Sequence, residues 1–105
     1  MTINGQNLKD KEIRGRILKA LNTEFPSSLS VEMIFIALRA ARYNCTAGQL
    51  KTHLAYLAEK NYVKIQTVGV FDMDLQRDMV TLTADGLDVV AGNIEPAPGV
   101  IIHAT

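Results

Sequence analysis

Residues 46–65 of this 105-residue chain read TAGQLKTHLAYLAEKNYVKI, and the stretch predicts a capped helix that passes directly into a β-strand. Thr46 and Gln49 have the spacing of a capping box, in which each side chain accepts a hydrogen bond from the other residue's backbone N–H group. Three leucines recur at helical spacing and give the helix one apolar face: Leu50, Leu54 and Leu57. Asn61 tolerates left-handed backbone geometry and therefore predicts where the helix ends.

The length and the composition indicate one compact domain. The chain is 48% hydrophobic, which is ample for a single core. No run of the sequence approaches the roughly 20 apolar residues that cross a bilayer, and the polar start MTINGQNLKDKE lacks the apolar segment of a signal peptide. We therefore expect a soluble, cytoplasmic protein without membrane association.

The chain has few residues of the types that act in catalysis or bind metal ions. Cys45 is the single cysteine, and with only His53 and His103 beside it there is no spaced set of metal ligands. A thiol at a helix N-terminus can be activated for redox sensing, and a plain buried thiol is the competing interpretation for Cys45. His53 has no carboxylate or nucleophile that sequence spacing would place next to it. We expect no enzyme activity, no cofactor and no metal.

The charges are unevenly distributed although they sum to zero. Up to residue 60 there are nine Lys and Arg against five Asp and Glu, and beyond it there are two against six. A polyanion should therefore approach the N-terminal helices first.

Two helices are predicted before the capped helix. Apolar residues recur at helical intervals over 8–25, and Pro26 ends that pattern. Ser27, Ser28 and Ser30 supply turn and cap chemistry before a second helix over 31–38. This helix is so apolar that it must pack between other elements or against a second subunit. Arg39 and Arg42 close this helix. They suit the negative end of its dipole and could equally contact a ligand.

Alternating patterns after Asn61 predict a β-hairpin. One strand begins at Val63 and the other spans Met79 to Thr83. The intervening loop over 69–78, GVFDMDLQRD, combines Asp72 and Asp74 with apolar residues, whereas loops that contact DNA usually offer Arg or Lys. The composition of this loop is therefore suited to a protein surface.

The C-terminal part divides into a short helix and a tail. Thr83 is expected to cap a helix over 84–91, which Gly92 ends. The tail NIEPAPGVIIHAT is Pro-containing and finally apolar, so it is a docked strand, a partner contact or a frayed terminus. We accordingly divide the chain into a domain over 1–92 and a tail over 93–105.

Two segments resemble those of a known superfamily. QLKTHLAYLAEKNYV (49–63) resembles the recognition-helix segment of winged helix-turn-helix regulators, and VTLTADGLDVV (80–90) resembles their closing strand and helix. The similarity is to the arsenical-repressor and multiple-antibiotic-resistance types and covers residues 8–92. LTADGLDVVAGNIEPAPGV (82–100) also resembles small winged-helix proteins of Mu-like prophages. The resemblance implies an α+β winged helix-turn-helix fold, with a three-helix core, a β-hairpin wing and a short C-terminal helix.

The same resemblance implies a transcriptional regulator that places its third helix in the major groove of double-stranded DNA. The positions that map to groove contacts are Thr46, Gln49, Lys51, Thr52 and Tyr56. Gln can pair with adenine, Thr can use its hydroxyl or methyl group, and Lys can reach guanine or a phosphate. A homodimer is expected, because two basic helices on successive grooves would offset the neutral total charge.

A different class of function stays open beside DNA binding. The chain could be a protein–protein interaction module without DNA binding, which uses the loop around residues 71–75 or the tail at 100–102 to hold a partner. For self-association, we expect the first helix or the tail to form the interface.

Overall fold

The computed structural model describes residues 5–70 and 75–103. In this part the chain is α+β, with four helices and a three-stranded antiparallel sheet. The elements follow the order α1 (Gly5–Glu24), β1 (Leu29–Ser30), α2 (Val31–Ala40), α3 (Ala47–Glu59), β2 (Val63–Val70), β3 (Leu75–Leu82) and α4 (Ala84–Ala91). The four helices and the strands β2 and β3 therefore occur in the predicted order, with helix ends within a few residues of the predicted ones.

Hydroxyl side chains begin three of the helices. Ser30 Oγ accepts from Met33 N–H at 3.2 Å, and Thr83 Oγ1 accepts from Gly86 N–H at 3.0 Å. The predicted capping box is confirmed, because the Gln49 N–H group donates to Thr46 Oγ1 at 3.1 Å and the Thr46 N–H group donates to Gln49 Oε1 at 2.8 Å. These bonds satisfy backbone donors that have no partner within the first turn of a helix.

Left-handed residues follow three of the helices, and the one after α2, Arg42 with φ of 67°, was not predicted. Asn61 has φ of 65° after α3, and Gly92 has φ of 82° after α4. Both positions were predicted as helix ends from the tolerance of Asn and Gly for this geometry.

The sheet has the order β1-β3-β2. Strands β2 and β3 form the predicted hairpin, with Val63 opposite Leu82 and Val70 opposite Leu75. The predicted loop over 69–78 was too long, because the ladder continues through most of it; only 71–74 connect the strands, and they lie outside the described residues. Strand β1 was not predicted, since two residues carry no alternation, and Leu29 pairs with Val80.

The core lies between the helices and one face of the sheet. Its fully buried side chains come from all four helices and from β3: Ile17, Leu18, Leu21, Ile34, Leu38, Leu50, Leu57, Val80 and Val89. Helix α3 thus buries the predicted leucine face and leaves its other side at the surface.

Helix α2 is less enclosed than we expected. Ile34 and Leu38 are buried, whereas Met33 is 51% exposed and Ile36 is 59% exposed. Other described elements therefore do not cover the outward face of α2, and the second alternative, packing of this face against a second subunit, stays a prediction.

The tail folds back onto the domain. The Ile101 N–H group donates to the Lys11 carbonyl of α1 at 3.1 Å, and Val100 is 4% exposed. A Cβ atom on Gly15 would collide with the Ile101 carbonyl, so the glycine lets the tail lie directly on α1. The sequence left three interpretations of the tail open: a docked strand, a partner contact or a frayed terminus. The described residues of the tail dock on their own domain, although no strand forms there.

No helix of the described residues combines the length and the apolar character that a membrane span requires.

Candidate nucleic-acid interface

The two sides of α3 differ in chemistry. Four side chains face the interior: Leu50, His53, Leu54 and Leu57. Gly48, Lys51, Thr52 and Ala55 are exposed on the opposite side. This exposed side is the surface that α3 can offer to a ligand, and it is polar in its first half.

Four of the five predicted DNA-contacting residues lie together at the beginning of α3. Thr46 and Gln49 are exposed, but their oxygens are engaged in the capping box. Thr52 Oγ1 donates to the Gly48 carbonyl at 3.1 Å. Lys51 forms no ion pair within the part of the chain that the structure describes, so its ammonium group is available.

Tyr56, the fifth predicted residue, contacts other parts of the chain. Its side chain is half-buried, and its Oη accepts a hydrogen bond from the Gly99 N–H group of the tail at 3.1 Å. The Arg14 guanidinium lies 4.3 Å from the centre of its ring, at a distance typical of a cation–π contact. The structure therefore places Tyr56 against α1 and the tail, apart from the other four residues.

The segment that forms the α2–α3 turn carries positive charges, although Glu12 of α1 also reaches the turn, where it accepts a hydrogen bond from Tyr43 Oη at 3.3 Å. No Asp or Glu occurs between Glu32 and Glu59, whereas Arg39, Arg42 and Lys51 do. All three cations are exposed. Arg39 lies in the last turn of α2, where it also stabilises the helix dipole, so the two interpretations of this arginine are compatible.

A buried polar cluster beneath α3 was missed. His53 is 4% exposed, its Nδ1 accepts from Arg14 Nε at 3.2 Å, and its Nε2 lies 3.6 Å from Asp10 Oδ1. Sequence spacing places no carboxylate beside His53, and it is the packing of α1 on α3 that brings Asp10 there. The spacing of Asp10 and Arg14 indicates a shared face of α1. Nothing in the sequence indicates that this face meets His53.

Burial keeps His53 neutral. Loss of solvent lowers the pKa of His53 below its ordinary value of 6.5, the positive charge of Arg14 lowers it further, and Asp10 opposes both effects. A neutral imidazole has one acceptor nitrogen, and the Arg14 bond assigns that role to Nδ1. Both ring nitrogens of His53 therefore have a polar neighbour while the imidazole is neutral.

Cys45 does not have the environment of a reactive thiol. Burial raises the pKa of the Cys45 thiol, which lowers its thiolate fraction at neutral pH. This favours the plain buried thiol over the redox sensor. Among the described residues, no group of three or more potential ligands could hold a metal ion.

Comparisons of the chain with protein-family models and with curated proteins found no match.

Proposed function

We propose that the chain is a DNA-binding transcriptional regulator of the winged helix-turn-helix type, acting in the cytoplasm as a dimer. The observation that carries this proposal is the charge of the α2–α3 surface. Arg42 and Lys51 are exposed at the α2–α3 turn and the polar beginning of α3, and no Asp or Glu occurs over residues 33–58. Phosphate contacts by Lys and Arg supply most of the affinity of such proteins for DNA.

The order of the elements also supports the proposal. In this proposal, helices α2 and α3 with their connecting turn would be the helix-turn-helix, and the β2–β3 hairpin would be the wing. The short helix α4 follows the hairpin, as the sequence resemblance implies, whereas strand β1 beside β3 is not part of that implied pattern. Many functions share one fold, so the charge of the surface is the stronger argument for DNA.

We assign different roles to the individual side chains. Lys51 and Thr52 are exposed in the first half of α3 and are the proposed base or phosphate contacts. Thr46 and Gln49 hold the helix start, where free backbone N–H groups and the helix dipole favour a phosphate. Gln49 can pair with adenine through both amide atoms only by releasing the Thr46 N–H group. Tyr56 is assigned to the tail, because its hydroxyl and its ring are occupied there.

The test compares two lysines of the same charge. Lys51→Ala should weaken binding to a selected DNA site by about 1–3 kcal/mol if the contact is to a base, or reduce the salt slope by about 1 if it is to a phosphate. Lys9→Ala removes the same charge from an exposed position of α1 and is the matched control. Equal DNA affinity of both variants and the wild type, at low and at high salt, would contradict the assignment of Lys51 as a DNA contact.

Gln49→Glu separates base recognition from helix capping. Glutamate also accepts the N–H bond of a capping box, so the helix start should persist. Its negative charge should repel DNA and abolish any pairing with adenine. We therefore expect lost DNA binding at unchanged stability, measured by fluorescence anisotropy and by urea unfolding.

Exposed apolar side chains favour a second candidate function, a protein–protein interaction module without DNA binding. Met33 and Ile36 are both more than half exposed. Of the loop proposed for a partner, 71–75, residues 71–74 lie outside the described residues, and Val100 of the tail is buried against its own chain. This function predicts no DNA retention at low salt and loss of partner capture in Phe71→Asp.

A further inference from the structure

The outward face of α2 has the two most exposed large apolar side chains of the described residues. Met33 is 51% exposed and Ile36 is 59% exposed, and they lie one helical turn apart. A shallow groove of about 400 Å³ adjoins Ile36, between α2 and the start of α3. The groove is lined by Val31, Glu32, Phe35, Ile36, Ala47 and Leu50. Exposed apolar side chains beside such a groove are typical of an interface.

Residues of opposite charge lie toward the two ends of this face of α2. Glu32 precedes Met33 in the first turn of α2, and Arg39 lies in the last turn. Seven residues separate them, which is close to two helical turns, so both flank the same apolar stripe. Both are exposed, and neither forms an ion pair within the described residues.

We propose that a second copy of this chain covers the face, with the two α2 helices packed antiparallel across a twofold axis near Ile36. In that arrangement Glu32 of each copy lies opposite Arg39 of the other, and Met33 and Ile36 fill the middle. A twofold interface must be complementary to itself, and a helix with opposite charges at its two ends and apolar residues between them meets this condition.

The other surfaces expected for a dimer, on α1 and the tail, are partly covered, although Leu8 remains 46% exposed and Ile94 44% exposed. The tail lies on α1, with the Ile101 N–H group bonded to the Lys11 carbonyl and Lys19 Nζ bonded to the His103 carbonyl at 2.8 Å. These segments cover each other within one chain. The apolar stripe of α2 offers nothing to the phosphates of DNA, whereas it matches the same stripe on a second copy. The proposed dimer therefore does not depend on DNA binding.

Exchange of the two charges tests the pairing directly. Glu32→Arg and Arg39→Glu should each raise the dissociation constant of the dimer by about tenfold or more, because like charges then face each other. The double variant should restore dimerisation, since opposite charges face each other again. Mass is measured without DNA by sedimentation equilibrium, and Lys9→Glu is the control for a charge change at an exposed helix position.

A second variant removes the apolar contact. Ile36→Asp should give a monomer with an unchanged circular dichroism spectrum, because Ile36 lies outside the core. A wild-type protein that is monomeric at tens of micromolar would overturn the proposal. So would a dimer whose mass is unaffected by Glu32→Arg, Arg39→Glu and Ile36→Asp. DNA retention is measured separately on the wild type, so failure of the interface and failure of DNA binding are distinguishable.

Discussion

Arg14 Nε donates a hydrogen bond to His53 Nδ1 at 3.2 Å and so joins α1 to the buried side of α3. The same guanidinium donates through Nη1 to the Gly99 carbonyl at 3.0 Å, which adds the tail to the contact. Tyr56, whose ring lies under this guanidinium, accepts from the Gly99 N–H group. Gly99 is thereby held at both of its backbone polar groups by one arginine and one tyrosine.

The His53 contact predicts that acid destabilises the protein. Burial holds the pKa of His53 below its unfolded value of 6.5, so the unfolded state binds a proton first as the pH falls. Stability should be unaffected by His53 well above that pH and should decrease as the pH falls from there toward the folded pKa. The free energy of unfolding, measured with urea at about pH 7.5 and about pH 5, should be smaller at the lower pH.

The control for this prediction is His53→Gln, which does not titrate in this range. Its pH dependence should be weaker than that of the wild type, because the remaining slope comes from other groups. Identical slopes in both proteins would contradict a neutral, buried His53.

The close contact of the tail with α1 predicts opposite effects for two helical glycines. Gly15→Ala should destabilise the protein by about 1–3 kcal/mol, because the new methyl group meets the Ile101 carbonyl. Gly48→Ala meets only Thr46 Oγ1 at 3.9 Å and should stabilise α3 by about 0.5–1 kcal/mol. Urea unfolding of both variants gives the measurement. A neutral Gly15→Ala would show that the tail leaves α1 in solution.

The capping box predicts a defined loss of stability without a change in the core. Thr46→Ala should cost about 1 kcal/mol, because the Gln49 N–H group loses its acceptor. Thr46→Ser retains the hydroxyl and should remain close to the wild type in thermal unfolding. If the two variants are equally stable, the side chain of Thr46 does not support the helix.

Tyr56→Phe tests whether this tyrosine serves the tail or the DNA. Loss of the hydroxyl removes the acceptor of the Gly99 N–H group and should cost about 1 kcal/mol of stability. DNA affinity should stay within a factor of about two in anisotropy titrations, since the hydroxyl does not reach the exposed side of α3. A large loss of DNA affinity without a loss of stability would show that Tyr56 contributes to the proposed DNA interface.

Local signals in the sequence predicted most of the elements. The spacing of Thr46 and Gln49, the leucines of α3 and the positive φ of Asn61 are properties of a few neighbouring residues, and all three were confirmed. Strand β1 escaped prediction because its two residues are a strand only through their pairing with β3. The hairpin was predicted too short, because loop composition does not reveal how far a ladder continues.

The contacts around α3 could not be predicted from local patterns. Asp10 and Arg14 are 39 or more positions from His53, and only the packing of α1 on α3 brings them together. Tyr56 has helical spacing consistent with either side of α3, so its orientation toward Gly99 depends on where the tail lies. The exposure of α2 likewise follows from the arrangement of the other elements, since apolar residues cover most of its circumference.

Retention of mixed genomic DNA fragments by the purified protein, at low and at high salt, tests the proposed function most directly. The retained fragments are then sequenced. We expect enrichment of one site with two symmetric half-sites, and an affinity that falls as the salt concentration rises. Absence of retention at low salt would contradict DNA binding and would favour the protein-interaction function.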